Sequence, residues 1–520
     1  MNQVITSQEM QALEQNAEYF QISRLQLMEN AGRNVAAEVS ARIKDQKEIV
    51  FFCGLGGNGG DGFVAARHLS AMGYKTRVIL AGKAEQISHK EALVNWKALK
   101  YLLRGVSIQE AYDASLVLEL KTEARALVVD ALLGTGSKGR LRSPVSELVE
   151  RINSIDAFRV AVDAPTGVNV DTGEILENAV RSNLTITFHK SKKGLELAKD
   201  YVGELIVKDI GLPKELEQLA GPGDVTFVKK LRPQQAHKGD FGRLLIIGGS
   251  EFFSGAPALA ALAALRSGVD LTYIAAPEKT AQAISSMSPD LITIKMKGKH
   301  LNLGNVQPLE TAVKMVDAVV IGPGLDLHVD TLEFIRSIID VIEKAGKPLL
   351  LDADGLKAFS QFKRSLNIPL VLTPHSGEYT ILTGKKLPES FWDKVFEVQK
   401  MALEIDAVIL LKGPIDIVCN KELYKLNFTG NPGMAVGGTG DVLSGVVGAF
   451  LAQQINPFKA AVAGAFVNGA AGDFVRGEKG FHMMASDLIK WIPKSIDDPM
   501  SHMMVRDGIE KGYQNFSIPR

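Results

Sequence analysis

Cysteine is scarce, and its scarcity excludes one class of protein. The 520 residues contain only two cysteines, Cys53 and Cys419, too few for the framework of a disulfide-rich secreted domain. Both lie in or beside apolar, strand-like runs, so we expect buried, reduced thiols and a reducing, cytoplasmic compartment. The first ten residues, MNQVITSQEM, lack the basic and apolar regions of a signal peptide, and none is expected.

An excess of one charge and a long apolar run are missing as well. Lys plus Arg and Asp plus Glu each number 59, so the formal net charge is zero, whereas proteins that gather nucleic acid through bulk charge are clearly basic. No apolar run reaches the ~20 residues that span a bilayer. The most apolar helical segment, residues 442–451, carries glycines and predicts a buried helix.

Short apolar runs alternate with helical patterns in the first part of the chain. Their near-continuous apolar character indicates strands covered on both faces, and the spacing leaves room for crossover helices. The pattern therefore predicts a doubly wound, parallel α/β sheet. The predicted strands are residues 48–53, 76–82, 126–134, 158–165, 184–188 and 204–211.

A polar stretch with proline and glycine, residues 212–225, interrupts this pattern and predicts a boundary between domains 1–222 and 223–520. Further strand-like runs follow at residues 243–249, 269–277, 317–324, 347–355, 368–374 and 407–413. They predict a second three-layer α/β domain, which ends in a glycine-rich turn, 430–441, and a helix. The tail after Pro493 is predicted to be a peripheral extension without a role.

The run Gly54-Leu55-Gly56-Gly57-Asn58-Gly59 follows the first strand and matches a dinucleotide fingerprint. Such a site also needs an acidic residue at the end of the next strand, and residues 80–83, Leu-Ala-Gly-Lys, supply none. Hydride transfer is therefore disfavoured. Consecutive glycines before a helix still expose backbone N–H groups, so we expect phosphate binding, with a purely structural turn as the alternative.

Polar side chains cluster at the ends of the first-domain strands. Asn58, Asp130, Asp163 and Thr166 should converge there, because ligands of open α/β sheets bind beyond the carboxyl ends of the strands. They offer only hard oxygen ligands, which suit an alkali or alkaline-earth cation rather than zinc. A helix N-cap is the alternative role for each aspartate. The loop 134–139, Gly-Thr-Gly-Ser-Lys-Gly, lacks P-loop spacing but could bind a second phosphate.

The turn Gly437-Gly438-Thr439-Gly440-Asp441 opens the apolar helix of the second domain. Its backbone N–H groups could form an anion hole for a transferring phosphate, and Asp441 could accept a proton from an attacking hydroxyl. His375, after the strand 368–374, is expected near the same sheet edge, with an ordinary surface or core histidine as the alternative.

Several runs of the first domain together resemble the NAD(P)H-hydrate epimerase family: residues 27–32 (LMENAG), 57–62 (GNGGDG), 130–136 (DALLGTG) and 163–167 (DAPTG). The resemblance implies a Rossmann-like domain that holds potassium at Asn58, Asp130 and Thr166, with Asp163 as the catalytic, substrate-contacting aspartate. Thr166 stands where many members have serine. The implied substrate contacts are Gly57, Asn58, Gly59, Gly60, Asp61, Gly134, Thr135, Gly136, Ser137, Lys138, Gly139, Arg140 and Asp163.

The turn 437–441 resembles the ribokinase superfamily, and further runs narrow the resemblance to the ADP/ATP-dependent NAD(P)H-hydrate dehydratase family: residues 237–242, 247–250, 255–257, 321–324, 351–355, 372–375 and 431–435. This implies hydrated-cofactor contacts at Ala258, Gly324, His375 and Asp441, with Asp441 catalytic. The implied nucleotide contacts are Lys412, Gly413, Pro414, Ile415, Asp416 and Gly440. Asp416 stands where a hydroxyl residue is common, which puts its contact in doubt; Ser376 and Asn468 also depart from the pattern.

Together the resemblances imply a bifunctional enzyme that epimerises R- and S-NAD(P)HX and dehydrates the S form with conversion of ADP to AMP and phosphate. K⁺ is expected in the first domain and Mg²⁺ in the second. We expect small-molecule substrates, no nucleic-acid or membrane partner, and a homo-oligomer. The alternatives are a small-alcohol kinase of the ribokinase superfamily and a first domain that serves as a ligand-binding or scaffold module.

Overall fold

The computed structural model describes residues 4–44, 48–120, 126–136 and 139–510. The chain forms two compact units, Met1–Leu216 and Glu217–Arg520. The boundary between activities that the sequence predicts, after residue 222, falls at the short helix Pro222–Val225 and stays a prediction. Among the described residues, none of the helices combines the length and apolar character that crossing a membrane requires.

The first unit is built on a parallel sheet of seven strands within the described residues, in the order β3-β2-β1-β4-β5-β6-β7. The strands β1–β7 are Ile49–Cys53, Thr76–Leu80, Val106–Glu110, Leu127–Ala131, Phe158–Val162, Leu184–Phe188 and Glu204–Lys208. The helices α1–α8 are Ser7–Tyr19, Arg24–Ser40, Gly57–Ala71, Lys90–Leu99, Ala114–Leu118, Val145–Ser154, Lys193–Leu197 and Lys199–Val202. The strand order reverses between β1 and β4, and this is where such sheets bind ligands.

Alternation along the strands of the first unit places helices on both of its faces. Val50 and Val128 pack in one cluster with Leu148 and Ile152 of α6. On the opposite face, a Cβ on Gly62 of α3 would lie 2.7 Å from Cys53 Sγ and 2.8 Å from Ala131 Cβ, so α3 approaches the sheet closely. The predicted doubly wound sheet is confirmed.

The second unit contains a sheet of nine strands, in the order β10-β9-β8-β11-β12-β13-β14-β15-β16 for the part of the chain that the structure describes. The strands β8–β16 are Arg243–Ile247, Leu271–Pro277, Ile292–Met296, Ala318–Ile321, Leu349–Leu351, Leu370–Leu372, Val408–Leu411, Asp416–Cys419 and Tyr424–Asn427. The first seven pair in parallel, whereas β15 and β16 add an antiparallel edge. The helices α9–α20 are Pro222–Val225, Gly255–Arg266, Glu278–Ser285, Val306–Met315, Val329–Lys344, Ala353–Phe359, Ser376–Thr383, Phe391–Ile405, Thr439–Ala452, Pro457–Lys479, Ala485–Asp497 and His502–Glu510.

The same alternation makes the second unit a three-layer structure. Leu245 and Val319 pack with Ile335 of α13, while the neighbouring Leu244 and Val320 face α17, where a Cβ on Gly448 would lie 2.6 Å from Val320. Residues Val442 to Ala452 of α17 are all buried, which confirms the predicted buried helix. Both cysteines are buried free thiols, as predicted, and burial raises the pKa of Cys419 to about 12.

For residues 494–510, the expectation that the tail after Pro493 is peripheral is wrong, whereas residues 511–520 lie outside the described residues. Helix α19 continues through Pro493 to Asp497, and α20 follows with His502 only 1% exposed. A proline inside a helix removes one backbone hydrogen bond. The buried side chains of Leu488, Ile489 and Ile492 outweigh that loss by anchoring α19.

Candidate active sites

The first site lies where β5 and β6 end. Asp163, directly after β5, adopts a left-handed backbone with φ of 63°, a costly conformation for a non-glycine residue that is found mainly at functional sites. Its Oδ1 accepts from Lys192 Nζ at 2.8 Å and from Thr187 Oγ1 at 3.2 Å, and its Oδ2 accepts from Thr135 N at 3.2 Å. The structure therefore brings Thr135 of the second glycine loop to Asp163, and the resemblance implies that both residues contact the substrate.

Lys192 is a site residue that the sequence reasoning missed. Its side chain is 1% exposed, and its Nζ also donates to Thr187 Oγ1 at 2.7 Å and to Phe188 O at 3.2 Å. A buried ammonium group needs such a set of partners. In the sequence Lys192 is one of the lysines in His189-Lys190-Ser191-Lys192-Lys193, which look like surface charge, so only its three-dimensional position identifies it.

Two further carboxyl groups interact electrostatically with Asp163. Burial, with the charge of Asp163 adding to it, raises the pKa of Glu14 on α1 to about 7, although Arg24 and Lys192 oppose the shift. Burial and then the charges of Asp163 and Glu14 raise the pKa of Asp61 well above its usual range. Glu14 was not predicted. A carboxyl group with a pKa of about 7, such as that of Glu14, is suited to general acid–base chemistry.

Asp130 and Thr166, two of the predicted cation ligands, lie together. Thr166 donates to Asp130 through its Oγ1 at 2.7 Å and its backbone N–H at 2.8 Å. Burial raises the pKa of Asp130 to about 6, and the hydrogen bonds from Thr166 and Leu132 oppose the shift. Neither Asp130 nor Asp163 caps a helix within the described residues, so the N-cap alternative does not describe either aspartate.

Asn58, the third predicted ligand, lies in the first turn of α3. Both polar atoms of its side chain are buried and have no hydrogen-bond partner. A Cβ on Gly134 would lie 3.2 Å from Asn58 Oδ1 and 3.1 Å from Asp163 Oδ2, so Gly134 lies between the two side chains. A buried amide oxygen without a hydrogen-bond partner is the kind of oxygen ligand that a hard cation binds, and Asn58 supplies one.

The two glycine loops form one wall of this site. Gly57, Gly59 and Gly60 belong to α3, and a Cβ on Gly60 would lie 2.5 Å from Met28 Cε. This close approach explains part of the run 27–32, since α2 packs against α3 there. Gly136 and Gly139 belong to the second loop, and Arg140, which follows it, pairs with Glu177 at the surface. Ser137 and Lys138 lie outside the described residues.

The second site is built around the first turn of α17. Its N-cap Gly438 has φ of 100°, and Thr439 Oγ1 donates to Met434 O at 2.9 Å. Burial, followed by the negative charge of Asp352, raises the pKa of Asp441 to about 7, while Lys412 lowers it. Asp441 therefore combines a position at a helix N-terminus with the proton affinity of a base that works at neutral pH.

Lys412 joins α17 to the neighbouring strand ends. Its Nζ lies 2.8 Å from Asp352 Oδ1 and 3.6 Å from Glu378 Oε2, and it would lie 3.4 Å from a Cβ on Gly440. Although burial opposes the charge, Asp352 and Glu378 hold the pKa of Lys412 above its usual value. Asp352 also accepts from Ser444 Oγ of α17 at 2.5 Å. No role was predicted for Asp352 or Glu378.

His375 lies beside Lys412, because Lys412 N donates to Pro374 O at 2.8 Å. The imidazole Nδ1 accepts from Gly377 N at 3.0 Å and Glu378 N at 3.3 Å, so His375 is the N-cap of α15. Because Nδ1 accepts, the neutral ring carries its proton on Nε2. The side chain is 56% exposed, so it is both a cap and available to a ligand.

Some of the remaining predicted residues lie in the turn 412–416, and the others, Ala258 and Gly324, lie on α10 and after β11. Asp416 Oδ1 accepts from Gly413 N and its Oδ2 from Asn427 Nδ2, both at 3.0 Å, so both of its oxygens support the turn 412–416 that carries Pro414 and Ile415. Burial raises the pKa of Asp416 to about 6. Ala258, on α10, is buried, and Gly324 after β11 has φ of 66° with its Cβ position 3.1 Å from Phe253 Cβ.

Within the described residues, no three or more His, Cys, Asp and Glu side chains form a group that could hold a metal ion.

The fold and the two sites define a two-unit α/β enzyme that uses ionisable side chains at the carboxyl edges of its sheets. Two family models match the chain: NAD(P)H-hydrate dehydratase at residues 244–494 and the YjeF-related protein N-terminus at residues 24–194. The chain belongs to the family of bifunctional NAD(P)H-hydrate repair enzymes. Both units are α/β domains built on mainly parallel sheets, as the sequence predicts.

The family assignment rests on relatives that match nearly the full length of this chain. The chain is 44% identical to the bifunctional NAD(P)H-hydrate repair enzyme Nnr of Pyrobaculum aerophilum, over 95% of this chain and 98% of that protein. It is 43% identical to the protein of the same name from Hyperthermus butylicus, over 96% and 93%. The ADP/ATP-dependent NAD(P)H-hydrate dehydratase from Bacillus subtilis, co-crystallised with ATP/Mg²⁺, matches with 26% identity and a TM-score of 0.45, over 53% of this chain and 96% of that chain.

Proposed function

We propose that this protein repairs hydrated nicotinamide cofactors in two steps, one in each unit. The first unit interconverts the R and S hydrates, and the second dehydrates the S hydrate while ADP is converted to AMP and phosphate. The observation that carries the proposal is Asp441, a partly buried carboxyl with a pKa of about 7 in the first turn of α17 beside Lys412.

In the proposed dehydration, the hydrate hydroxyl gives its proton to Asp441 and its oxygen bonds to the β-phosphorus of ADP. The bond between that phosphorus and the bridging oxygen breaks, and AMP leaves. The ring nitrogen then expels phosphate together with the hydrate oxygen, and loss of a proton from the adjacent ring carbon restores the dihydropyridine. The backbone amides of Gly438, Thr439 and Gly440 would stabilise the transferring phosphoryl group, and Lys412 would neutralise charge on the nucleotide.

In the proposed epimerisation, the ring nitrogen expels the hydroxyl to leave a planar cation, and water adds to either face. Asp163 would move the proton between the hydroxyl and water. Lys192 holds Oδ1 of Asp163 and so leaves Oδ2, toward the glycine loops, for the substrate. Because Lys192 binds only one of the two oxygens, we propose that it orients Asp163, which agrees with the burial of Lys192.

We also propose the cations. Potassium would be held by Asn58 Oδ1, Asp130 and Thr166, where it would give the buried amide oxygen of Asn58 a partner and stabilise negative charge near the substrate phosphates. Mg²⁺ would neutralise charge on the nucleotide phosphates in the second unit. Because Mg²⁺ usually keeps few protein ligands and binds through substrate phosphates, it needs no dedicated cage of side chains.

The potassium site can be tested separately from the reaction. Anomalous scattering from crystals soaked in rubidium should show a peak beside Asn58 and Asp130, and epimerase activity should rise with potassium in a saturating titration. An Asn58→Leu variant should lose the peak. A transition metal at this position, or a peak that persists in Asn58→Leu, would contradict the ligand set.

A direct assay tests the whole proposal. Incubation of the protein with S-hydrate and ADP should restore the absorbance of reduced nicotinamide and release AMP and phosphate in equal amounts; a parallel incubation with ATP determines which nucleotide is used. A stable phosphorylated product without reduced nicotinamide would indicate a kinase instead. A homo-oligomer and a cytoplasmic location remain predictions, which light scattering and cell fractionation would check.

A further inference from the structure

A buried histidine begins the C-terminal helix α20. The side chain of His502 is 1% exposed, and its Nε2 lies 2.9 Å from Oδ2 of Asp473 on α18. The rings of Phe466 and Phe474 contact the imidazole edge-on, with centroid distances of 5.7 and 5.9 Å. The two aromatic rings exclude water from the contact between His502 and Asp473, so hydrogen bonds within the protein must satisfy these two polar side chains.

Asp473 connects this histidine to a loop. Its Oδ2 also accepts from Gly430 N at 2.9 Å, and its Oδ1 accepts from Asn431 Nδ2 at 2.9 Å. A carboxylate can only accept hydrogen bonds, so Nε2 of His502 donates. With these three donors the buried carboxylate, 3% exposed, fixes the first residues of the loop 430–434.

The loop 430–434 leads directly to the dehydratase site. Asn431 Oδ1 accepts from Gly433 N at 3.0 Å, and at the far end of the loop Met434 O accepts from Thr439 Oγ1 at 2.9 Å. Helix α18 also packs closely against the loop, since a Cβ on Gly472 would lie 2.2 Å from Met434 Sδ. One chain of hydrogen bonds therefore runs from the C-terminal helix to the first turn of α17.

We propose that His502 is a positioning residue of the dehydratase site: through Asp473 it fixes the loop 430–434 and so aligns the first turn of α17, which carries Gly440 and Asp441. The inference rests on the proposed function for the chemistry that is aligned. Preorganised amides stabilise a transferring phosphoryl group only at the correct distance, and a misplacement of about 1 Å can cost about 10²-fold in rate.

The test compares two variants of the full-length protein that remove the same ring. His502→Gln keeps a donor that reaches Asp473, whereas His502→Leu has none. We expect His502→Leu to lower kcat for dehydration about 10- to 100-fold with KM for ADP changed by less than about threefold, and His502→Gln to restore most of kcat. Met504→Ala, on the same helix and 76% exposed, is the matched control and should leave kcat unchanged.

Hydrogen exchange provides a readout that does not depend on activity. The Gly430 amide donates to Asp473, so it should exchange roughly tenfold faster in His502→Leu than in the wild type or His502→Gln. Both variants lose the contacts with Phe466 and Phe474, so a purely structural role predicts equal falls in melting temperature and equal kcat. Should His502→Leu fail to fold, His502→Asn, whose amide is one bond too short, takes its place.

The outcomes separate this inference from the proposed function. The positioning role would be overturned if His502→Gln and His502→Leu had equal kcat values. It would also be overturned if the exchange rate of the Gly430 amide were unchanged in His502→Leu. Absence of dehydration by the wild type would instead overturn the proposed function, and the exchange experiment would still decide whether His502 holds the loop.

Discussion

At the scale of single residues, each site contains a carboxylate and a lysine, but the two lysines make different contacts. Lys192 contacts Asp163 directly at 2.8 Å, which orients that carboxylate. Lys412 instead contacts Asp352 at 2.8 Å, and the charge of Asp352 helps to raise the pKa of Asp441 to about 7. The first arrangement suits a group that passes a proton between bound molecules, and the second suits a base that must accept one.

The raised pKa of Asp441 predicts a pH profile. Dehydration needs the ionised carboxylate, so kcat/KM should rise with pH to a plateau with a midpoint near the pKa of about 7. Folding raises the pKa of Asp441 above its unfolded value, because the folded state favours the protonated carboxyl. The contribution of Asp441 to the free energy of unfolding is therefore fully present below the unfolded pKa and is lost as the pH rises through about 7. Initial rates and melting temperatures from pH 5.5 to 9 measure both effects. A flat rate profile would show that Asp441 is not the base.

The buried lysine of the first unit gives a second prediction. Lys192→Met should lower epimerisation by about 10²-fold or more, because Asp163 loses the group that orients it, while dehydration by the second unit continues. Lys193→Met is the matched control, since the adjacent lysine is exposed. Chromatographic separation of the R and S hydrates gives the rate. Equal epimerisation by the two variants would contradict the role of Lys192.

At the scale of elements, the first turn of α17 depends on one glycine. Gly438 has φ of 100°, and a Cβ there would lie 2.7 Å from Leu259 Cδ1 and 2.8 Å from Ala485 Cβ, whereas a Cβ on Gly437 would meet nothing within 4 Å. Gly438→Ala should therefore destabilise the protein by about 1–3 kcal/mol and reduce dehydration strongly. Gly437→Ala, the matched control, should change neither property much. Thermal unfolding and the dehydration assay would decide, and similar behaviour of the two variants would count against the account.

The elements also show what the sequence can predict. Buried parallel strands were recognisable because their runs are apolar throughout, as in β1 and β4. The edge strands β3 and β10 were missed, because exposed residues interrupt their apolar pattern: Ser107 and Ile108 are exposed in β3, and Ile292 and Lys295 in β10. The antiparallel pairing of β15 with β16 depends on a hairpin that apolar runs alone do not reveal.

The same limit applies to the sites. Glycine loops and strand-end aspartates are recognisable from their spacing, and Asp130 and Thr166, which were predicted to converge, do so. Lys192 and Glu378 have no such local signal, and Asp352, although it directly follows β12, was given no role. Their roles arise from contacts between residues far apart in the chain, such as Lys412 with Asp352, which only the folded structure supplies.

At the scale of the whole molecule, the two compact units predict separable activities. Residues 219–224 bond to β16 of the second unit, where Ala220 N donates to Leu426 O and Lys425 pairs with Asp224. Fragments should therefore be cut after Leu216. The fragment 1–216 should epimerise the hydrates and 217–520 should dehydrate only the S form, each on the order of the full-length rate, because each unit carries its own core. Loss of epimerisation in a folded first fragment would show that its site needs the second unit.

The most direct test of the central claim is the Asp441→Asn variant, assayed for both activities on one sample. The substitution keeps the size of the side chain but removes the base, so dehydration should fall by about 10²–10⁴-fold. ADP binding should persist, because Lys412 and the amides of α17 remain, and epimerisation should be unchanged. Asp330→Asn, an exposed acid in the first turn of α13, is the control. A near-normal dehydration rate in Asp441→Asn would contradict the account.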